Sequence, residues 1–137
     1  MLDTRRWRRL VAYQSYRDLE IYKKAHKLAI EIHEMSLKLS KFELYEEGSQ
    51  IRKSSKSVKN NIVEGFGRRR YKQEFIKFLT YSIASCDETQ SHLDTLYETK
   101  SLKDAERYEY FREEYDHLGK MISNFIKSVE GGHKTRI

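Results

Sequence analysis

Proline is absent from all 137 residues, and glycine occurs only six times. A fold of strands and tight turns draws on both residues for its reversals, so their scarcity points to long helices joined by few turns. Cysteine occurs once, as Cys86. A single thiol cannot close an internal disulfide, which excludes a disulfide scaffold and favours a reducing compartment. No apolar run nears the roughly 20 residues that a membrane-spanning helix requires, so no membrane partner is expected. The opening Arg5-Arg6-Trp7-Arg8-Arg9 has the charge of a secretory signal, but Leu10-Val11-Ala12 is too short an apolar sequel. The expected location is the cytoplasm.

What the chain has in abundance is charge: 35% of residues are charged against 38% hydrophobic, which implies a lean core and a heavily charged surface. The length suits one ordinary domain. The net charge of +6 is unevenly spread. Residues 1–72 carry eighteen Lys and Arg against nine Asp and Glu, a net +9, whereas residues 73–137 carry nine against twelve, a net −3. Within 87–116 the balance is four against ten, a net −6. A basic first half and an acidic second half can neutralise each other within or between subunits. This weakens any direct inference from a basic isoelectric point to nucleic-acid binding.

Hydrophobic periodicity predicts four helices. The first spans 18–40, with Asp18 as N-cap and Leu19, Tyr22, Ala25, Ala29, Ile32, Ser36 and Leu39 at helical spacing. Residues 41–48 form a connection, and Glu46 or Ser49 opens the second helix. The third covers 71–99, with Phe75, Phe78, Leu79, Ser82, Ile83, Cys86, Leu93, Leu96 and Tyr97 on or near one face. The fourth covers 104–129, where Tyr108, Phe111, Tyr115, Leu118, Ile122, Phe125 and Val129 form an i, i+3, i+4, i+7 stripe. Long amphipathic helices on short loops imply antiparallel neighbours, so the expected fold is all-α, an antiparallel up-down-up-down four-helix bundle. Its bounds are 16–130, with a basic, flexible arm over 1–15 and a frayed tail over 131–137. Ser54, Ser55 and Ser57 on the second helix and Ser82, Ala84 and Ser85 on the third predict that these two pack most closely.

The second helix carries the candidate site. At 100° per residue, Ile51, Ser55, Val58 and Ile62 form its apolar stripe, Arg52, Lys56 and Lys59 one flank, and Ser57, Asn61 and Glu64 the other. Gly65 and Gly67 read as left-handed terminal positions, followed by Arg68-Arg69-Arg70. Arg52, Lys53, Lys56, Lys59, Arg68, Arg69, Arg70 and Lys72 are the candidate nucleic-acid-binding residues, with Arg5, Arg6, Arg8 and Arg9 as an added arm. Such a set makes sequence-independent phosphate contacts, and nothing in it has the form of a base-reading module. The alternative is a solvated face, or one neutralised by the 87–116 region of a neighbouring subunit. Ser57, Asn61 and Glu64 read as a structural polar anchor, with a ligand contact as the alternative. Glu64 lies at the unfavourable end of the helix dipole, so an arginine partner is expected for it.

Catalytic chemistry finds little support. A carboxylate-bridged metal centre in a bundle needs two inward Glu-x-x-His pairs and two further glutamates. The chain has one such pair, Glu114 and His117, and His117 falls about 120° from the stripe of its helix. Glu88 and His92 read as a surface pair, with two ligands of one metal as the lesser alternative, and His26 and His33 lack a carboxylate on the same face. Cys86 falls on the apolar face and reads as core volume. Gly65-Phe66-Gly67-Arg68 follows a helix rather than a strand and reads as a cap, with phosphate binding as the lesser alternative. The ten tyrosines read chiefly as rim residues of the bundle, with base stacking by some of them as the lesser alternative. No enzyme, metal or cofactor is expected.

Several stretches together resemble a known family. They are Tyr16-Arg17-Asp18-Leu19, Tyr22-Lys23-Lys24-Ala25, Gln50-Ile51-Arg52-Lys53, the run Ser57-Val58-Lys59-Asn60-Asn61-Ile62-Val63-Glu64-Gly65-Phe66-Gly67-Arg68, Phe75-Ile76-Lys77-Phe78-Leu79 and Ser85-Cys86-Asp87-Glu88. Across about 16–130 the chain resembles the bacterial four-helix-bundle family of 23S rRNA intervening-sequence proteins (ribosomal protein S23-like), related to the accessory variability determinant of diversity-generating retroelements. Asn60 stands where that family often has proline, which implies a straighter helix here. The resemblance implies a noncatalytic bundle that closes into a homo-oligomeric ring, a pentamer in relatives. It also implies a basic surface for RNA or DNA and a reverse transcriptase or other nucleic-acid enzyme as partner. The runner-up is a protein–protein scaffold that uses the basic face for assembly and binds no nucleic acid.

Overall fold

A computed structural model describes residues 15–134. The arginines of the expected N-terminal arm lie outside this range, as do the last three residues. A 3-10 turn, Tyr16–Asp18, leads into α1 (Glu20–Leu37), followed by a short α2 (Lys41–Tyr45), α3 (Glu47–Gly67), α4 (Lys72–Glu98) and α5 (Ala105–Lys134). No described helix is long and apolar enough to cross a membrane.

Side-chain contacts fix the register of the four long helices. Between α3 and α4, Ser54 meets Thr89 at 2.8 Å, Ser57 meets Ser85 at 3.0 Å, and Ser82 donates to the Val58 carbonyl at 2.7 Å. Rising numbers on α3 thus meet falling numbers on α4, so the pair is antiparallel. Between α1 and α5, Lys24 reaches Glu114 and Tyr110 reaches Glu31. Between α4 and α5, Phe75 packs on Phe125 and Tyr97 stacks on Tyr108 at 4.1 Å. Arg52 of α3 bonds Ser36 of α1. Each consecutive pair of long helices packs together and α1 also meets α5, so the four close in chain order and α3 lies diagonally across from α5.

The core follows the expected stripes, with Ile51, Val58, Ile62, Phe75, Leu79, Phe111, Tyr115, Leu118 and Ile122 fully buried. Cys86 is buried among them. The serines are structural: Ser54, Ser55 and Ser82 are buried, and their short side chains let α3 and α4 approach while their hydroxyls donate to nearby carbonyls. Ala84 takes no part, being exposed.

Three expected boundaries change. Asp18 does not cap α1; it closes a capping box with Ser15 around the 3-10 turn, and α1 starts at Glu20 behind Leu19. The connection over 41–48 contains α2, capped by Ser40. The fourth helix continues past Val129 to Lys134, so the first part of the expected frayed tail is helical.

The two glycines are not the left-handed stop that the sequence suggested. No described glycine has a positive φ. Gly65 is buried within α3 because a Cβ there would lie 3.1 Å from the Phe78 Cβ and 3.3 Å from the Phe75 carbonyl oxygen. Glycine serves the close approach of α4. The helix ends instead through i to i−3 bonds, Arg68 N–H to the Gly65 carbonyl and Arg69 N–H to the Phe66 carbonyl. Lys100, at φ 67°, is the described non-glycine residue in the left-handed region, where it turns the chain from α4 towards α5.

Candidate nucleic-acid interface

Between Glu47 and Glu64 the helix α3 has no carboxylate. Its stripe of Ile51, Ser55, Val58 and Ile62 is buried, which fixes the roll of the helix and turns Lys53, Lys56 and Asn60 outward. The side chains of Lys53, Lys56, Lys59, Arg70 and Lys72 make no hydrogen bond or ion pair with another described residue. Lys56 and Lys59 flank a shallow hollow against α1, beside Ala29, Ile30, His33 and Glu34. On the other side, Lys53, Lys56, Ser57, Asn60, Asn61 and Glu64 border a second open depression of about 450 Å³.

The eight basic candidates thus divide. Arg52 is turned inward, its two guanidinium nitrogens donating to Ser36 Oγ at 2.9 Å and to the Leu44 carbonyl at 2.7 Å. It ties α1, α2 and α3 together. Arg68 sits between two carboxylates, Glu64 at 3.2 Å and Glu74 at 3.3 Å, with its guanidinium 5.0 Å from the centre of the Phe78 ring. Arg69 stacks on Phe66 at 3.9 Å and donates to the Phe66 carbonyl. Lys53, Lys56 and Lys59 along α3, with Arg70 and Lys72 beyond its end, form the open cationic track.

The polar track is arranged as an anchor between helices. Asn61 donates to the Ser57 carbonyl at 2.9 Å and to its hydroxyl at 3.1 Å, and Ser85 of α4 donates to that same hydroxyl. Glu64 receives its expected arginine from Arg68 of its own chain, and through Arg68 it is linked to Glu74 at the start of α4. These bonds explain why the α3–α4 turn is held without a left-handed glycine.

The sequence allowed that some tyrosines stack on bases without singling out which ones. Tyr71 is 63% exposed at the α3–α4 turn, and Tyr81 is 46% exposed on the outer side of α4. The available signal was the order Arg70-Tyr71-Lys72, an aromatic residue between two cations.

Two of the other histidines have side-chain partners. His92 lies between Glu47 at 2.9 Å and Glu88 at 3.4 Å, and His117 lies 2.9 Å from Lys24. Among the described residues no group of three or more His, Cys, Asp or Glu side chains is placed to hold a metal ion. Burial pushes the Cys86 thiol up to about 12, with the Asp87 carboxylate adding to the shift, so it is held as the neutral thiol rather than the nucleophilic thiolate.

Comparisons with known proteins agree with this architecture. A crystal structure of a protein with unknown function from the S23 ribosomal protein family of Bacteroides thetaiotaomicron superposes with a TM-score of 0.71 at 23% identity. The superposition covers 78% of this chain and 95% of that one. At that identity the likeness speaks for the fold. No curated protein matches significantly. The signature of the 23S rRNA-intervening sequence proteins matches residues 17–124, from the turn before α1 to well inside α5, and includes the whole cationic face of α3. By this match over most of its length, the chain belongs to the 23S rRNA-intervening sequence protein family.

Proposed function

We propose that this protein is a noncatalytic, homo-oligomeric helical bundle that binds RNA or DNA through the basic face of α3, as an accessory to another nucleic-acid enzyme. The observation that carries the reading is the run of cations Lys53, Lys56 and Lys59, the first two exposed and the third half-buried, with no carboxylate on α3 between Glu47 and Glu64. A cationic row of this kind suits a phosphate backbone, whose bound counterions are released on contact. The family resemblance supports a closed ring, a pentamer in relatives, and a reverse transcriptase as the partner enzyme. A ring would repeat the row once per subunit.

The test is fluorescence anisotropy with labelled RNA and DNA across a salt series, on protein freed of nucleic acid, alongside light scattering. The Lys53→Gln, Lys56→Gln, Lys59→Gln triple variant is expected to weaken binding at low salt. Its plot of log affinity against log salt should be shallower by about 0.7–0.9 per lost phosphate contact, while the mass stays unchanged. Unaltered binding would remove α3 from the interface.

A second reading, the scaffold without nucleic acid, draws on Phe42 and Tyr45 of α2, 70% and 71% exposed beside Leu37 at the other end of the bundle. A salt-stable oligomer indifferent to both nucleic acids would decide for it.

A further inference from the structure

The geometry points to a base-stacking platform along the α3–α4 groove, and we infer that the nucleic acid bound there is single-stranded. This inference rests on the basic-face reading above and narrows its ligand. The register sets the layout: Val58 lies opposite Ser82, and Gly65 lies opposite Phe75 and Phe78. Asn61, midway between them on α3, therefore falls across the groove from the α4 segment that carries Tyr81. Lys53 and Lys56 border the depression on the α3 side of that groove, with Asn60 and Asn61 beside them. Ten residues back along α4, about 15 Å at the helical rise, Tyr71 stands exposed between Arg70 and Lys72. That separation matches roughly four nucleotide steps at the stacked spacing of 3.4 Å.

Two details favour this ligand. The aromatic positions are held before binding. Tyr71 N–H donates to the Arg68 carbonyl at 2.8 Å and the Tyr71 carbonyl accepts from Phe75, so the turn that presents its ring is fixed. Tyr81 packs edge to face against Phe78 at 5.6 Å, and Phe78 lies beneath Arg68 and Lys77. The acids of the groove are also screened, because Arg68 bridges Glu64 and Glu74. Cations interleaved with exposed rings suit a strand whose bases are unpaired, since each base then offers a π-face to an aromatic and its phosphate to a lysine. A duplex keeps those faces inside its stack, leaving Tyr71 and Tyr81 without a role. A purely apolar subunit contact would have to desolvate Arg70, Lys72 and Lys77 beside the rings.

The experiment measures a 20-nucleotide single-stranded RNA, the matching single-stranded DNA and the RNA duplex by anisotropy at low salt. It compares the wild type with Tyr71→Leu, Tyr81→Leu, the double variant and the Tyr71→Phe, Tyr81→Phe pair. Each leucine substitution is expected to weaken single-strand binding about tenfold, with duplex binding, salt slope and mass unchanged and the phenylalanine pair near wild type. Equal losses on single strand and duplex, no loss at all, or a fall in oligomer mass would each overturn the platform. If the leucine variants bind normally while the triple lysine variant does not, the stacking inference fails and the basic-face reading stands. Wild-type protein that binds none of the three probes would end both.

Discussion

Single residues carry constraints that the helical pattern alone does not reveal. Gly48 and Gly119 are both helical, yet they respond oppositely to a methyl group. A Cβ on Gly48 would sit 2.5 Å from the Glu43 carbonyl oxygen, a backbone atom that cannot swing away, whereas Gly119 has nothing within 4 Å. Gly48→Ala is expected to destabilise by about 1–3 kcal/mol through overpacking. Gly119→Ala should stabilise by about 1 kcal/mol through helix propensity alone. Paired urea denaturation curves check both, and a shift of the same sign in the two variants would contradict the contacts. Cys86 predicts a pH effect. Its thiol ordinarily ionises near 9.0 and burial pushes it up to about 12, so the folded state keeps a proton that the unfolded chain releases. The stabilisation is complete below pH 9 and declines as pH rises from 9 towards 12, by at most about 1.4 kcal/mol per pH unit. Tyr110, pushed up to about 12 by burial and by its bond to Glu31, adds to the decline above pH 10. The fall in urea midpoint from pH 8 to pH 10.5 should be smaller in Cys86→Ala than in the wild type; an equal fall would show that another group governs it.

At the scale of elements, the roles within the basic cluster separate. One row of arginines and lysines is readable in the sequence, but which of them point inward depends on what α1 and α2 place beside α3. Arg52 joins three segments through Ser36 and the Leu44 carbonyl, while the adjacent Lys53 faces solvent. Arg52→Met should cost on the order of 1.5–3 kcal/mol for the charged hydrogen bonds it loses. Lys53→Met should stay within about 0.5 kcal/mol. Thermal unfolding of both variants checks the contrast, and equal small effects would mean the clamp is not formed in solution. The same logic applies to the α3–α4 turn. The glycines there suggested a left-handed cap, because sequence alone cannot separate a glycine required by φ from one required by a neighbouring helix. The approach of Phe75 and Phe78 to Gly65 makes that distinction.

For the whole molecule, the decisive arrangement is the diagonal placement of α3 and α5. The exposed acids of α5, Glu106, Glu109, Glu113 and Asp116, lie on the edge away from the α3 lysines. With adjacent helix axes about 8–10 Å apart, the two outer faces are separated by more than the Debye length of about 8 Å at physiological ionic strength. These α5 acids therefore do not cancel the basic face within one subunit, although the charge of the chain as a whole suggested that they might. The salt-series experiment tests this directly: Glu106→Gln, Glu109→Gln, Glu113→Gln should alter nucleic-acid affinity far less than the α3 lysine triple. Equal effects of opposite sign would mean that the two faces are coupled, as in a ring where α3 of one subunit meets α5 of the next.

The sequence by itself determined the helices, because their apolar residues repeat at a spacing that only a helix can bury on one side, and no proline interrupts them. The close α3–α4 pair was also legible there, since serines at consecutive turns leave room for little else but another backbone. What only the tertiary structure decided is the orientation and partnership of polar side chains. Arg52 clamps, Arg68 bridges two carboxylates, and Lys53, Lys56 and Lys59 stay open. Tyr71 stands exposed at the α3–α4 turn, and Tyr81 packs its edge on Phe78 while keeping part of its ring open. The physical reason is that a charged or aromatic side chain on a helix flank can reach water, a neighbouring helix or a ligand from the same Cα. Its choice depends on groups tens of residues away, which no local spacing encodes.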